Sequence, residues 1–380
     1  MAKRITELPV GSKVKDVNSK YFGASIVYRV LDFNHYRDEL NPGIADHISL
    51  MTDKIICLKP FDAKEPNNSD SNRKNYGNNR YKHSNIRQWL NSDKEGWYEP
   101  QHSADEPPTA DKVWSEHNPY LDEPGFLTFM SEEMKAALIP TNIRVAKNTV
   151  TDGGGSEVVT DRVFLLSRAE MGLGDENNIT EGKPFDMFNS DSARQAYTTK
   201  EAWENSTYDY DLNSTRFYWM RTPGSGYAHG VRDVFSSGSL SFYNAYYGDC
   251  GVRPALNLSS DTLVSDTPDL DGVYTLIFAP PHKLLFKEEN DIKIFQDGAW
   301  KIVGQADDEL GPIFEEFGME NLTGIDTTQL ANKELIIQKE GEPPKINIHA
   351  IPYPQLVFPT GDIVLKMLDK IHHFKIYANQ

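Results

Sequence analysis

The chain has 380 residues, of which 38% are hydrophobic and 11% aromatic, and its formal net charge is −17. This length allows one large domain or two or three ordinary ones, with a sizeable core. The acidic balance argues against nucleic acid as the main partner, because binding to phosphates requires a basic face.

The N-terminal part, residues 8–58, is predicted to be rich in β-strands. A turn is expected at Gly11-Ser12, and the alternating, β-branched run at 24–33 is typical of a strand. The run at 47–61 predicts a further pair of strands. The polar composition of residues 62–82 predicts a surface loop.

Two short helices are predicted next, each with a serine at its N-cap. Ser84 precedes a helix over 84–91 that gathers its apolar side chains on one face. Ser131 precedes a helix over 131–139 that has two glutamates in its first turn, where the helix dipole favours negative charge. Between them lies a long, acidic loop.

The following segments favour strands again. The runs 141–150 and 158–166 predict a hairpin around the turn at Gly153–Gly155. A helix is expected near 191–198, and a strand over 273–278.

A domain boundary is predicted at Pro280-Pro281, because two prolines cannot continue a central strand. It divides the chain into residues 1–279 and a small β-rich domain over 283–380, and in the latter Asp297-Gly298 predicts a hairpin turn. Further strands of this small domain are predicted within 284–304, 334–351 and 355–380.

The stretch Trp219–Leu258 is unusual in composition. Between stiff ends, residues 224–250 contain no Lys, Glu, Gln, Met or Trp, although about five would be expected from the composition of the chain. Tyr, Ser, Gly, Asn, Asp and Phe fill the segment. Such a composition is typical of adaptable binding surfaces.

Nothing in the sequence indicates export or membrane insertion. The opening MAKRITELPVGSKV lacks the apolar stretch of a signal peptide, and no run approaches the ~18 apolar residues of a membrane span. Cys57 and Cys250 are the only cysteines. We expect both to be free thiols in a protein folded in a reducing cytosol.

Six segments carry a recognisable pattern: LPVGSKV, YGNNRYKHSNIRQWLNS, GFLTFMSEEMKAALIPT, DRVFLLSRAEMGL, YWMRTPG and GVRPALNLSSDTLVSDTPDLDGVYTL. Together they resemble a domain of unknown function common in Gram-positive bacteria and their phages. The similarity covers roughly residues 8–278, and its most specific piece is GVRPALNL at 251–258.

That family is similar to the variable proteins of diversity-generating retroelements and, more distantly, to formylglycine-generating enzymes. The resemblance implies an α+β, C-type-lectin-like fold. It also implies an origin for the composition of residues 224–250. In retroelement systems the adenines of template codons are mutagenised, so a codon of the type AAY can become any codon of the type NNY. No NNY codon encodes Lys, Glu, Gln, Met or Trp, the five residue types that are missing here. Gly230, Val231, Gly238 and Ala245 would then be scaffold. The displayed, ligand-binding positions would be Ser225, Tyr227, His229, Arg232, Asp233, Phe235, Ser236, Ser239, Ser241, Tyr243, Asn244, Tyr246, Tyr247 and Asp249.

The function expected from this resemblance is binding, not catalysis. The chain would be a receptor-binding protein of a phage tail tip or fibre, synthesised in the host cytoplasm. Its partners would be a host-cell surface protein or glycan and other tail proteins, and it would form a homo-oligomer, by analogy a trimer. Two alternatives stay open: a virion assembly protein that uses the same surface as a subunit interface, and an enzyme on the related fold.

No cofactor or metal site is predicted. Glu65-Pro66-Asn67 matches a sugar-binding tripeptide of C-type lectins but stands far from the closing motif, and chance is the better explanation. The acidic residues Asp266, Asp269 and Asp271 lack the register of a calcium loop and predict a polar turn. Adjacent His372 and His373 on a strand would point to opposite faces. Structural roles are expected for Arg221 and Arg253, each paired with a carboxylate, and for Trp219 in the core.

Overall fold

The computed structural model describes residues 2–278, 283–296, 298–319, 325, 333–338 and 346–349. The chain divides into two compact units, residues 1–278 and 279–380. Each unit has its own sheet structure and its own hydrophobic core. The structure is a mixture of sheets and short helices in which strands predominate.

The first unit contains an eight-stranded sheet, called here the large sheet, in the order β1-β14-β15-β2-β3-β4-β13-β8. Its pairs are antiparallel except β15 and β2, which run parallel. The strands are β1 (Lys3–Arg4), β2 (Lys13–Tyr21), β3 (Ala24–Phe33), β4 (His47–Thr52), β8 (Val163–Phe164), β13 (Ala255–Ser259), β14 (Leu263–Val264) and β15 (Val273–Ile277).

A second sheet of five strands, the small sheet, has the order β11-β10-β9-β12-β5. A separate hairpin is formed by β6 and β7. The strands are β5 (Cys57–Leu58), β6 (Thr141–Ala146), β7 (Ser156–Asp161), β9 (Tyr218–Pro223), β10 (Gly230–Val234), β11 (Leu240–Asn244) and β12 (Gly251–Val252).

Helices of the first unit are short and begin at polar caps. The Ser84 side chain accepts a hydrogen bond from Arg87 N, and that of Ser131 accepts one from Met134 N, which satisfies amides that have no partner inside the helix. The helices are α1 (Ser71–Tyr76), α2 (Asn85–Leu90), α3 (Glu132–Ala137), α4 (Asp191–Arg194) and α5 (Lys200–Glu204).

The small sheet is anchored by β9, which is buried along its whole length. Trp219 is 1% exposed and donates from Nε1 to Lys59 O at 2.9 Å, so the predicted core position of this residue is confirmed. The chain then crosses between sheets within GVRPALNL, because β12 belongs to the small sheet and β13 to the large one. The large and small sheets therefore share one core.

Most locally encoded elements agree with the sequence predictions. The strand predicted at 24–33 is β3, and the two capped helices are α2 and α3. The β6–β7 hairpin surrounds a turn in which all three glycines, 153 to 155, have positive φ. The helix expected near 191–198 is limited to α4.

Two predictions for the N-terminal half are wrong. The two strands found in 47–61, β4 and β5, do not pair with each other but belong to different sheets. Residues 62–82 are not a plain surface loop: this segment contains α1 and buries polar side chains that hold neighbouring loops. Its polar composition therefore serves two purposes, because some of its side chains are exposed and others form buried hydrogen bonds.

Among its described residues, the second unit forms a five-stranded antiparallel sheet in the order β18-β17-β16-β19-β20 and the helix α6 (Leu310–Phe317). Leu285, Ile292, Ile294 and Ile336 form a hydrophobic core among the described residues of this unit. Asp297, the strand expected at 355–380 and the histidine pair 372–373 lie outside the described residues. The strands are β16 (Lys283–Glu288), β17 (Asp291–Gln296), β18 (Ala299–Gln305), β19 (Glu334–Gln338) and β20 (Ile346–His349).

Across the described residues, no helix has the length and apolar character that crossing a bilayer requires.

Candidate ligand-binding surface

The segment 224–250 forms a loop, the β10–β11 hairpin and a second loop at one edge of the small sheet. The hairpin pairs Gly230 with Asn244 and Val234 with Leu240. Its turn is closed by hydrogen bonds between Phe235 and Ser239 and from Gly238 N to Phe235 O. Because β11 is the last strand of the small sheet, its side chains lie at an edge.

The loop before the hairpin is held from below by the 62–82 segment. Asn79 Nδ2 donates to Tyr227 O at 2.7 Å and to Gly230 O at 2.8 Å. Arg73 Nε donates to Ala228 O at 3.1 Å. These buried side chains fix the backbone that carries Tyr227, so the loop is positioned by the scaffold and not by its own sequence.

Aromatic rings form a continuous chain of contacts around this edge, called here the aromatic surface. Consecutive ring centroids are between 4.8 and 6.4 Å apart. On one face Phe242 stacks on Tyr227 at 4.9 Å, and on the other Tyr243 stacks on Phe217 at 4.8 Å, as expected for neighbours in a strand. The order of the rings is Phe242, Tyr227, His229, Tyr76, Tyr246, Tyr247, Tyr243, Phe217 and Phe235.

The most accessible rings stand at the two ends of this chain. Tyr227 is 43% exposed, and Phe235 and Phe242 are each 40% exposed. In the middle, Tyr76 is exposed beside the half-buried His229, and Trp114 contacts Tyr247 edge-on at 5.0 Å. Single apolar side chains at a protein surface are normal, but contiguous ones mark interaction sites.

The predicted display positions divide by burial. Tyr227 and Phe235 are exposed, whereas Asp233, Tyr246 and Asp249 are buried, contrary to their expected display. The four scaffold positions, Gly230, Val231, Gly238 and Ala245, are all buried, as expected. The remaining display positions are half-buried: Ser225, His229, Arg232, Ser236, Ser239, Ser241, Tyr243, Asn244 and Tyr247.

Arg232 lies at the edge of the surface, but its charge is not free. It forms two 2.8 Å hydrogen bonds with the carboxylate of Glu176, which also accepts from Arg168 and from Ser225 N. Burial opposes ionisation of Glu176, yet these hydrogen bonds and charges lower its pKa to about 2. Arg232 therefore clamps the hairpin to the 176 loop.

Asp233 and Asp249 are buried carboxyls beneath the hairpin. Burial raises the pKa of Asp233 to about 7, and the Ser241 hydroxyl and Arg232 offset only part of this effect. Burial also raises the pKa of Asp249, although Arg216 lies nearby. The side chain of Asp233 points inward because Asp233 and Val231 alternate with Arg232 along β10, an orientation that composition could not indicate.

Sequence reasoning missed three rings of the aromatic surface, and also Trp114, which contacts Tyr247 of that surface. Phe242 was left out although it alternates with Ser241 and Tyr243 along β11. Tyr76, Trp114 and Phe217 lie outside 224–250 and reach the surface through tertiary contacts. The period-2 pattern could have identified Phe242, but no local signal identifies the other three.

The two arginines that flank the segment are buried, as expected, but only one pairs with a carboxylate. Arg221 forms hydrogen bonds of 2.6 and 2.9 Å with Glu170. Arg253 instead donates to Thr52 O at 3.0 Å, to Asp53 O and to the Tyr218 hydroxyl, so its predicted carboxylate partner is wrong. These hydrogen bonds of Arg253 stabilise the segment in which the chain passes from the small sheet to the large sheet.

A cleft of about 490 Å³ lies over the Arg221–Glu170 pair and is lined in part by His35, Lys183 and Glu181. Both oxygens of Glu170 accept hydrogen bonds from Arg221, and they also accept from Tyr36 and Ser167. Glu181 accepts from Ala146 N and the Thr222 hydroxyl, and burial raises its pKa to about 7. The carboxylates at the floor of this cleft are therefore engaged in holding β6 and β9.

The other chemical candidates have structural roles. Cys57 and Cys250 are free and buried, and burial raises the pKa of Cys57 to about 12, which opposes formation of the nucleophilic thiolate. Asp269 accepts from Asp271 N and Val273 N at 3.0 Å, which confirms the predicted polar turn.

The family model described as "Domain of unknown function (DUF6273)" matches residues 45–260. Neither the search of curated proteins nor that of solved structures gave a match. The matched segment contains the small sheet and nearly all of the contacts that build the aromatic surface, and it covers more than half of the 380 residues. The chain therefore belongs to the DUF6273 family.

Proposed function

We propose that this protein is a binding protein that holds a host-cell surface protein or glycan on its aromatic surface. The observation that carries the proposal is the continuous chain of rings with exposed members at both ends. Tyr, Phe and Trp side chains supply large contact areas at a low entropic cost, and they dominate binding energy at interfaces.

The anchors of the interaction are Tyr227, Phe242 and Phe235, because these rings keep the largest area available for a ligand. Tyr246 serves as a support: it is 9% exposed, and its carbonyl accepts from Trp114 N. Tyr243 and Tyr247 pack against the core of the first unit, so they contribute both to stability and to the surface.

A phage tail tip or fibre is the setting we propose for this activity, with a C-type-lectin-like first unit and a trimeric assembly. The support is the similarity of the sequence motifs to retroelement variable proteins, together with the composition of 224–250. The proposed class of ligand does not depend on this setting. In a virion assembly protein, the same surface would contact another subunit.

The test uses the full chain and the double variant Tyr227→Ala/Phe242→Ala. Binding of labelled protein to a panel of Gram-positive cells, and to their isolated wall glycans and surface proteins, is measured alongside thermal melting. We expect the double variant to lose affinity by more than tenfold, because two anchors at ~2 kcal/mol each are removed. Its melting temperature should change little, since neither ring belongs to the hydrophobic core of the first unit.

Leu270→Ala is the matched control, because Leu270 is a fully exposed apolar side chain outside the aromatic surface. It should bind like the wild type. Equal binding by the double variant and the wild type would contradict the proposal, as would the absence of binding by the wild type to every preparation. Self-association that disappears in the double variant would favour the assembly interface instead.

A further inference from the structure

A second cluster of ionisable side chains lies outside the aromatic surface, where segments 62–68 and 101–106 meet. One ligand atom each of Glu65, His102 and Asp105 lies within 4.8 Å of the other two. Glu65 Oε1 is 2.9 Å from His102 Nε2. Glu65 is fully buried, Asp105 is 8% exposed, and His102 is half-buried, so the cluster is accessible from the side of the imidazole.

The carboxylate of Asp105 is only half satisfied. Its Oδ2 accepts a hydrogen bond from Gln101 N at 2.7 Å. Its Oδ1 is buried and, among the residues that the structure describes, has no hydrogen-bond partner. Leaving a buried carboxylate oxygen without a partner is costly. The arrangement therefore indicates a ligand that takes the place of the missing partner.

The charges around the cluster favour a cation. Asp62 is buried beside it and accepts from Asn78 N and Asn85 N at 3.0 Å. Asp62 interacts electrostatically with both Glu65 and Asp105, so three buried carboxyl groups lie close together here. The nearest buried guanidinium, Arg73, is already bonded to Asp152 at 2.7 Å, and Lys112 pairs with Glu106.

We propose that Glu65, His102 and Asp105 bind one divalent transition-metal ion, with Zn²⁺ as the best match. A set of one imidazole nitrogen and two carboxylate oxygens suits Zn²⁺ better than Ca²⁺ or Mg²⁺, which prefer oxygen ligands throughout. Three protein ligands leave a fourth position for water. The neighbouring Asn67 side chain is exposed and is not part of the site.

Binding would change the imidazole. The metal takes Nε2, so the proton that the neutral ring carries on Nε2 is transferred to Nδ1. In the structure, Ala104 N donates a long hydrogen bond of 3.3 Å to Nδ1. This hydrogen bond is lost when Nδ1 carries the proton, because Nδ1 can then no longer accept. The bound ion would join segment 62–68, which leads into α1 and Tyr76, to segment 101–106, and would thereby stabilise the first unit.

The experiment titrates ZnCl₂ into the full chain after removal of metal with EDTA and dialysis. Native mass spectrometry and calorimetry give the stoichiometry and affinity, and thermal melting gives the stabilisation. We expect one Zn²⁺ per chain and a saturable rise in the melting temperature. His102→Ala and Asp105→Asn should each weaken binding at least ~100-fold, since even outer contacts of metal ligands contribute ~10–100-fold.

His117→Ala is the matched control: His117 is also half-buried, but it lies beside Trp114 and outside the cluster, so this variant should bind Zn²⁺ like the wild type. Circular dichroism checks that each variant is folded, and Asp105→Asn decides the matter if His102→Ala does not fold. Zn²⁺ binding that survives Asp105→Asn, a stoichiometry other than one, or a preference for Ca²⁺ over Zn²⁺ would overturn the proposal.

Discussion

Arg221 and Asp233 lie in adjacent strands of the small sheet. The surroundings of Arg221 stabilise its charged form, whereas those of Asp233 destabilise its charged form. Arg221 is fully buried and bonded to Glu170 through both terminal nitrogens. Removing one partner of such a pair leaves a buried charge and typically costs ~3–5 kcal/mol. Asp233 is equally buried, but the basic group of its own strand, Arg232, is committed to Glu176. The first charge is stabilised by its surroundings, and the second is not.

This difference predicts that Asp233→Asn stabilises the protein at neutral and alkaline pH. The folded-state pKa of about 7 exceeds the ordinary value of 3.8. Between these values the unfolded chain releases its proton and the folded chain keeps it, so the wild type loses stability as pH rises. The full difference corresponds to roughly 4 kcal/mol. We expect the variant to equal the wild type near pH 4 and to be more stable by a few kcal/mol at pH 8.

Urea unfolding at several pH values between 4 and 8 measures the effect. Asp271→Asn, at an exposed carboxylate, controls for a general response to the loss of one negative charge. A variant that is less stable than the wild type at pH 8 would contradict the prediction. It would show that Asp233 is ionised in the folded protein and that a partner stabilises its charge.

For single residues, the sequence indicates that the segment 224–250 is unusual, but it does not indicate which of its side chains are exposed and which are buried. The missing residue types marked 224–250 correctly as unusual, and the exposed Tyr227 and Phe235 were among the predicted positions. Composition cannot separate Asp233 from Arg232, because adjacent residues of one strand differ only in the face on which they lie. The register of β10 decides which one is buried.

The β10–β11 hairpin is the element that presents both faces of the aromatic surface, and its turn depends on Gly238. This residue has a φ of +89°, and a Cβ placed there would lie 1.8 Å from Asp191 O. Its carbonyl accepts from Arg194 Nε at 2.8 Å. The turn is thus packed tightly against α4 and cannot accommodate a side chain.

Gly238→Ala should therefore destabilise the protein by more than ~1 kcal/mol, since both the backbone angle and the close contact oppose a side chain. Chemical denaturation measures the loss. Gly226→Ala is the control within the same segment, because a Cβ there meets nothing within 4 Å, and its effect should stay within ~0.5 kcal/mol. Equal effects of the two substitutions would mean that the turn relaxes without cost.

The sequence predicted those helices and turns that depend on a few adjacent residues. The serine caps of α2 and α3 and the glycine turn between β6 and β7 are properties of a few adjacent residues, and all three were found. The order within 62–82 comes instead from distant partners. Asn79 bonds to the loop after β9 and Arg73 to Asp152, and neither contact has a signature in the neighbouring sequence.

At the scale of the whole molecule, the strand pairing of the first unit closes within residues 1–278. β1 pairs with β14, and β15 pairs in parallel with β2, so the ends of this unit lie in the same sheet. The sequence predicted the division near the proline pair because prolines are a local feature. It could not predict that β4 and β5 enter different sheets, since pairing depends on contacts far apart in the chain.

The closed pairing predicts that residues 1–278 fold without the rest of the chain. Their hydrophobic core is formed entirely by side chains between Ile5 and Leu276, and the second unit has a separate core around Leu285. A fragment ending at Phe278 should therefore keep the melting temperature at which the first unit unfolds in the full chain, and it should bind the same cell preparations with the same affinity per site.

A fragment ending at Leu258 is the matched comparison. It lacks β14 and β15 and leaves β1 and one edge of β2 without partners, so it should be strongly destabilised. Calorimetry of the three proteins distinguishes the outcomes, because an unfolded 1–278 fragment would show that the first unit requires the second for stability, whereas a stable shorter fragment would show that the β1-β14-β15 edge adds little to the fold.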